Sequence, residues 1–325
     1  MLSRRLIRIK AFKILFGKTV VSEGDAVVKA RNELLESCQK SVELYALLLS
    51  LPVALKRVAE ERIEVGLQKF NPTPEESAPN RKFVENAFIS LLESDASLNK
   101  YLKAKALNWK DGEDVVKEIY RTLKGRDYFK AYMEAPANVD EDARMAEDKA
   151  LIRKFFENEI EDNASLHDFL MERSIHWSDD VEYVTNQILN NLSKIAKSGT
   201  VSIPNAFAKQ EDEDFAVKLL TKSLINYDDY AEEISKNLSN WEFDRLLSTD
   251  VALVVMGLTE AQNFDDIPLK VTINEYVDIA NFYNSGAHNS GSFVNGLLDK
   301  MIKKMVDEGA VVKSGRGLVG GFKQR

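Results

Sequence analysis

The sequence predicts an all-α protein, and three observations carry the prediction. Apolar residues make up 44% of the chain, while 15 Gly and 7 Pro in 325 residues leave few breakers. Apolar side chains recur at three- and four-residue intervals over most of the length, the spacing that builds one buried helix face. A helical module recurs in the middle of the chain, each time around one of the three Trp.

The first expected helix runs from Leu2 to Phe16 and carries Arg4, Arg5, Arg8, Lys10 and Lys13 with no acid. Arg4 and Arg8 lie one turn apart on one face, with Arg5 beside them. Leu6, Ile9 and Phe16 cover another side, so the faces are not cleanly segregated. Solvated charge on an amphipathic helix explains this pattern as simply as anion binding does. An organellar leader is also Arg-rich and acid-poor, but this segment has core-type apolar residues and a single Ser.

A long helix is expected over Asp25–Ser50, with Leu34, Leu35, Val42, Tyr45, Leu48 and Leu49 on its buried side. Pro52 then suits the opening turn of a helix reaching about Phe70. Three prolines mark residues 71–80 as a loop.

The first module copy holds Asn80, Phe83, Val84, Phe88 and Leu92, then Asp95-Ala-Ser-Leu98, then Trp109. The second holds Asp148, Leu151, Ile152, Phe156 and Ile160, then Asn163-Ala-Ser-Leu166, then Trp177, every position displaced by 68. The third holds Asp212, Phe215, Leu219 and Leu220 and ends at Trp241, displaced by 64 from the second. Each copy reads as a capped amphipathic helix, a shorter helix, a Trp, and a further helix starting near Asp114, Asp179 or Glu242. Three Trp at matching places make chance spacing a poor explanation.

Val251 to Leu258 is apolar nearly all round and reads as a buried helix, with Thr249 and Asp250 as caps. Pro268 then starts a new segment, and Thr272 with Glu275 fits a capping box. Ile273, Tyr276, Val277, Ala280 and Tyr283 follow at helical spacing, and Asn284-Ser285-Gly286 is a stop. The closing helix starts near Ser290 or Ser292. Its stripe is Val294, Leu297, Leu298, Met301, Ile302 and Met305. Gly296 interrupts it at roughly 1 kcal/mol against alanine, which close approach of a neighbouring helix backbone would offset. From 309 the Gly-rich, basic segment to Arg325 is expected to be a flexible tail. Its Lys313-Ser-Gly-Arg-Gly run lacks the G-K-[ST] ending of a phosphate loop.

This closing region resembles the NusB family of bacterial transcription antitermination factors. The resemblance rests on Pro268, Lys270-Val271, Ile273-Asn274-Glu275, and Ser292-Phe293-Val294-Asn295-Gly296 with Leu298-Asp299. Asn240-Trp241 with Asp244-Arg245-Leu246 is similar to a family element ahead of the central buried helix. Arg4, Arg5, Arg8, Leu15 and Phe16 approximate the family's Arg-rich first helix. Thr272 and Tyr276 depart from the usual alanines, and Asn281 from a frequent lysine that would offer a phosphate contact. The resemblance implies an all-α, NusB-like helical bundle into which a helical module has been inserted and duplicated, because the ordinary family domain is about half this length. The organisation expected is 1–79 for the basic helix and long helices, 80–209 for the inserted module, 210–308 for the NusB-like region, and 309–325 for the tail.

The resemblance also implies binding of boxA-like single-stranded RNA together with the ribosomal protein NusE. The pair would join other Nus factors and RNA polymerase and prevent premature termination, chiefly on ribosomal RNA operons. The candidate RNA-binding residues are then Arg4, Arg5, Arg8, Lys13, Lys270 and Ser292, the last through amides at a helix N-terminus. Asn274, Glu275, Phe293, Asn295 and Gly296 are motif residues near that site, although capping and packing explain Asn274, Glu275 and Phe293 equally well. Five basic side chains (Arg4, Arg5, Arg8, Lys13, Lys270) each meeting one phosphate would give a salt slope of about −3.5 in log K. The reading requires the first helix to fold back beside the closing pair.

Charge distribution fits a local anion site. Net charge is −8, but residues 1–20 carry six cations and no acid, and residues 311–325 carry four more cations. The acidic body argues against non-specific coating of long nucleic acid. Nothing in the sequence suggests an enzyme: His167, His176 and His288 are too few and badly spaced for a metal, and no nucleophile elbow or dinucleotide fingerprint is present. No cofactor is expected. Cys38 alone rules out an internal disulfide, suits a cytoplasmic location, and is expected to be buried. The apolar run Tyr45–Leu55 is too short to span a bilayer, and no secretory signal is recognised. Two rival readings remain. One is a helical-repeat scaffold without RNA binding. The other is an RNA cytosine methyltransferase, some of which carry a NusB-like domain, but that needs a methyl-donor domain for which this chain leaves no room.

Overall fold

The computed structural model describes residues 2–17, 24–136, 138–238, 247–283 and 289–319, and these are helical with no strand among them. The helices are α1 (Arg4–Gly17), α2 (Gly24–Leu49), α3 (Leu51–Leu67), α4 (Pro74–Ser77), α5 (Ala87–Ser94), α6 (Ala96–Ala104), α7 (Glu113–Gly125) and α8 (Asp127–Glu134). Then follow α9 (Glu141–Asn158), α10 (Ala164–Arg173), α11 (Val181–Ser198), α12 (Gln210–Ile225), α13 (Tyr227–Asn237), α14 (Ser248–Asn263), α15 (Leu269–Tyr283) and α16 (Ser290–Asp307). They form two compact units. One comprises residues 39–206, and the other joins residues 2–38 to residues 207–325. The boundary therefore falls inside α2, and the expected break at 209/210 lies close to the observed join at Ala206–Phe207.

Local chemistry explains most helix starts. Ser3 Oγ accepts from the Leu6 amide and opens α1. Pro52 occupies the first turn of α3. The loop expected over 71–80 contains the one-turn helix α4, because Thr73 and Glu76 form a reciprocal capping box that the sequence reading passed over.

In the unit 39–206 the first two module copies share their order: two helices, a 3-10 turn beside the Trp, and a further helix; the second helix is the shorter one only in the second copy, since α6 has 9 residues and α5 has 8. Asp95 and Asn163 stand at matching positions and cap α6 and α10 through the amides of Leu98 and Leu166. The copies differ at their openings. A helix was expected from Asn80, but residues 82–85 are a turn and α5 starts only at Ala87. Asn86 caps it, and the Ala87 amide donates to buried Asp148 at 2.6 Å, which holds the chain outside a longer helix. Trp109 stacks on Phe169 with centroids 5.5 Å apart and donates to Ser50. Trp177 donates to the Lys40 carbonyl. The third Trp, Trp241, lies outside the described residues, as do Asn240, Asp244, Arg245, Leu246, the Asn284–Gly286 stop and His288.

In the second unit α14 is the buried axis, with Val251 to Leu258 almost wholly enclosed. Its start is not capped by Thr249 or Asp250. Leu247 is the cap residue without a side-chain bond, and Asp250 sits in the first turn, accepting from Ser290 Oγ at 3.1 Å. Helices α15 and α16 pack on α14; α16 buries the predicted Val294, Leu297, Leu298, Met301 and Ile302, while α15 buries Ile273, Tyr276 and Ala280 as predicted, adds Thr272 and Ile279, and leaves Val277 and Tyr283 only partly buried. The close approach is at Gly257, not Gly296. A Cβ at Gly257 would lie 2.7 Å from a Leu298 methyl and 3.3 Å from the Tyr276 ring, whereas Gly296 has open space. Residues 310–319, expected to be a loose tail, lie against the α14–α15 connection: Val311 is buried and Ser314 bonds to Asp265. Residues 320–325 lie outside the described set.

Candidate nucleic-acid interface

The basic helix α1 does lie beside the closing helices. Arg5 pairs with Asp278 of α15 at 3.1 Å, and the Phe12 ring is 5.3 Å from that of Tyr283. What orients α1 is Arg8. It is only 2% exposed, and its guanidinium grips Glu260 of α14 with two bonds of 2.7 and 2.8 Å. Thr272 and Tyr276, both on α15, donate to the same carboxylate at 2.9 and 3.0 Å. Each Glu260 oxygen thus accepts one bond from Arg8 and one from a hydroxyl, so the buried charge is fully satisfied. Burial works against the Arg8 charge, but the bonds and field of Glu260 outweigh it and hold the guanidinium above its ordinary pKa. Burial first, and Glu260 second, push the Tyr276 hydroxyl well up, which keeps it a donor.

Two consequences correct the sequence reading. Arg8, expected to meet phosphate, is a core residue that fixes the angle of α1. Thr272 and Glu275, expected as a capping box, lie inside α15, which begins at Leu269 on the Pro268 carbonyl. Glu275 is partly buried, 3.6 Å from Arg8 Nη1. The signal for this was available in part: Tyr276 and Thr272 replace apolar family positions with hydroxyls, and Glu260 is an acid in an otherwise apolar run.

The remaining residues fall on one side of α15. Lys270, Asn274, Asp278 and Asn281 are all exposed and spaced so that they share a face. Lys270 makes no ion pair among the described residues. Arg5 borders this stripe through Asp278. At its far end Gly291 of α16 fits against the Asn281 side chain, where a Cβ would be 2.0 Å from Oδ1. That contact places Ser292 beside the C-terminal end of α15, roughly 16 Å of helix from Lys270. Ser292, Asn295 and Gly296 are exposed on α16, and Phe293 is partly buried. Arg4 is half-exposed. It sits over the Phe215 ring at 5.0 Å and between Asp212 and Asp266, at 3.5 and 3.9 Å. Lys13 is partly buried and engaged within the fold. The structure therefore gathers Arg5, Lys270 and Asn274 on one track, with Ser292 and Gly296 beyond its end, and removes Arg8.

Among the described residues no group of three or more His, Cys, Asp or Glu is arranged to hold a metal ion. No described helix is long and apolar enough to cross a membrane. Cys38 is buried.

Comparison with known proteins gives one family. Residues 187–303 match the model described as the NusB family. The match begins within α11 and takes in α12 to α15 and most of α16; α1 is outside it in sequence but shares a compact unit with its residues 207–303. The transcription antitermination protein NusB of Salinibacter ruber is 37% identical over 107 residues, 33% of this chain and 66% of that protein. The protein of the same name from Chloroherpeton thalassium is 35% identical over 127 residues, 39% of this chain and 59% of that one. That of Clostridium kluyveri is 41% identical over 95 residues, 29% of this chain and 60% of that one. The chain thus spans slightly under two thirds of the length of these relatives. No solved structure matches it significantly.

Proposed function

From the premise that this is a NusB-family protein, its family domain at residues 187–303, we propose that it is an RNA-binding transcription antitermination factor. It takes a boxA-like single-stranded RNA together with NusE, and the pair joins other Nus factors on RNA polymerase, chiefly during ribosomal RNA synthesis. The observation that carries the reading is the exposed polar stripe of α15, bordered by Arg5 and held at a set angle by buried Arg8. A single strand has phosphates for Arg5, Arg4 and Lys270 and base edges for Asn274 and Asn295. Among the described residues nothing lies within 4 Å of a Cβ placed at Gly296, and a bare backbone there lets a base or ribose come close. The reading assigns no catalytic step and no cofactor, and it places the protein in the cytoplasm.

Removing Arg8 and Lys13 from the contact set changes the expected salt slope. Three phosphate contacts predict about −2.1 in log K against log salt on boxA-like RNA. The decisive experiment is co-purification with NusE, with and without that RNA, followed by the salt titration. A complex that forms equally without RNA, with a slope near zero, would favour the scaffold reading instead.

A further inference from the structure

The segment after α16 is fastened where the stripe of α15 begins. Lys313 Nζ donates to the Phe264 carbonyl at 2.7 Å, and the Ser314 amide and hydroxyl bond to the Asp265 carbonyl and carboxylate at 3.0 and 2.8 Å. Gly315 has φ +50, a backbone conformation that favours glycine. At Gly317 a Cβ would sit 1.9 Å from the Asp265 carbonyl oxygen, so only glycine fits. Capping the end of α14 accounts for Val311, Lys313, Ser314 and Gly317. It does not account for Arg316, the residue these contacts hold in place.

The Arg316 side chain is 85% exposed, and its Nη2 lies 3.9 Å from Asp266 Oδ2. That same oxygen is 3.9 Å from Nη1 of Arg4. Two guanidinium groups face the Asp266 carboxylate, both beyond hydrogen-bond reach of it; Arg4 has a nearer partner in Asp212 at 3.5 Å, and Arg316 makes no other ion pair among the described residues. Lys270 stands four residues further on, at the start of α15. Of the other cations here, Lys218 and Lys313 are spent on the carbonyls of Asn263 and Phe264. The acids are Asp212, Asp265 and Asp266, and Asp265 is engaged by Ser314. Arg4 and Arg316 therefore meet at Asp266 beside the N-terminal end of the stripe, with Lys270 in the first turn of α15, opposite the end where Ser292 lies.

We propose that Arg316 binds a phosphate of the RNA, so that the fastened C-terminal segment lengthens the binding track beyond the family domain. The proposal rests on the RNA-binding reading above. An Arg in this position offers a forked set of donors to one phosphate, and Arg4 can take the same group or its neighbour.

The test uses the full chain and two RNAs: a boxA-like core, and the same core lengthened by unstructured nucleotides on both sides. Affinities are measured by fluorescence anisotropy over a range of salt. The wild-type protein is expected to bind the longer RNA more tightly and with a steeper slope. Arg316→Ala should lower the slope on the longer RNA by about 0.7, one phosphate contact, and leave the core RNA unaffected. Arg316→Lys should keep the slope. If Arg316→Ala leaves the longer RNA unchanged while the wild type binds both RNAs, the proposal is overturned and the antitermination reading stands. If the wild type binds neither RNA, that reading fails, and this proposal with it.

Discussion

The two compact units solve the same packing problem by different means. In residues 39–206 aromatic rings join separate elements, Trp109 on Phe169 and Phe83 against Phe129, and the buried acids Asp148 and Glu159 accept from Tyr132 and Tyr128, with half-exposed Arg126 also on Glu159. In the unit holding most of the residues that match the family model, three helices meet on an ion pair buried at both ends, with Arg8 of α1 and two hydroxyls of α15 converging on Glu260 of α14. Apolar contact is non-directional, and it tolerates small rotations of one helix against another. A carboxylate with four donors does not, because turning α1 would break a bidentate bond in a dry interior. The difference teaches where orientation matters. The helix carrying the exposed cations is the one whose angle is set by hydrogen-bond geometry.

The largest effects should come from breaking each device. Glu260→Ala leaves Arg8 buried without its partner and should cost about 3–5 kcal/mol in chemical denaturation. Trp109→Ala should cost a similar amount, about 3–5 kcal/mol, by opening a cavity beside Phe169. The two should separate on repair. Replacing both charges, Arg8→Met with Glu260→Met, should recover most of the stability lost in Glu260→Ala. It should still weaken RNA binding, because α1 would no longer be held at one angle. If the paired variant bound RNA like the wild type, the orienting role given to Arg8 would be wrong.

Smaller effects concern the exposed track. Arg5→Ala and Lys270→Ala should each leave the unfolding midpoint nearly unchanged and reduce the salt slope on boxA-like RNA by about 0.7. Arg5 loses only a surface pair with Asp278, worth about 0–1 kcal/mol. Gly296→Ala should stabilise the free protein by roughly 0.5–1 kcal/mol, since nothing crowds the site. A simultaneous loss of RNA affinity would show that the open backbone is used. The smallest effect is one of pH. Burial lowers the pKa of Lys313, against the pull of Glu260, Asp265 and Asp266. A lowered amine pKa makes folding less favourable while the amine is charged in both states. Stability should therefore rise as pH climbs through the lowered value toward that of an ordinary lysine. Lys313→Met should flatten that rise in thermal melts.

Much of the fold was legible because its signals are local. The stripes of α15 and α16, the Asp95 and Asn163 caps and the paired Trp109 and Trp177 are set by spacing along a few turns. The early start of α15 was missed because Thr272 and Glu275 look like a capping box, while the buried use of Thr272 depends on Glu260. Gly296 was misassigned for a similar reason. A glycine in a helix shows that a side chain is unwanted, not whether a neighbouring helix or an incoming ligand occupies the space.

By itself, then, the order of residues determined the helices among the described residues, the helix order that two successive stretches share, and a likeness to the NusB family near the chain's end. Those follow from periodicity, helix caps and short motifs, which act over a few residues. Only the tertiary structure decided that Arg8 is buried while Arg5 pairs with Asp278 at the surface. It also decided that a glycine-rich tail is fastened beside Arg4. The partner that buries Arg8 is 252 residues away in the chain, and the carbonyl that selects Gly317 belongs to another connection. A side chain's role in such places is set by what folds against it, and that distance in sequence leaves no local mark.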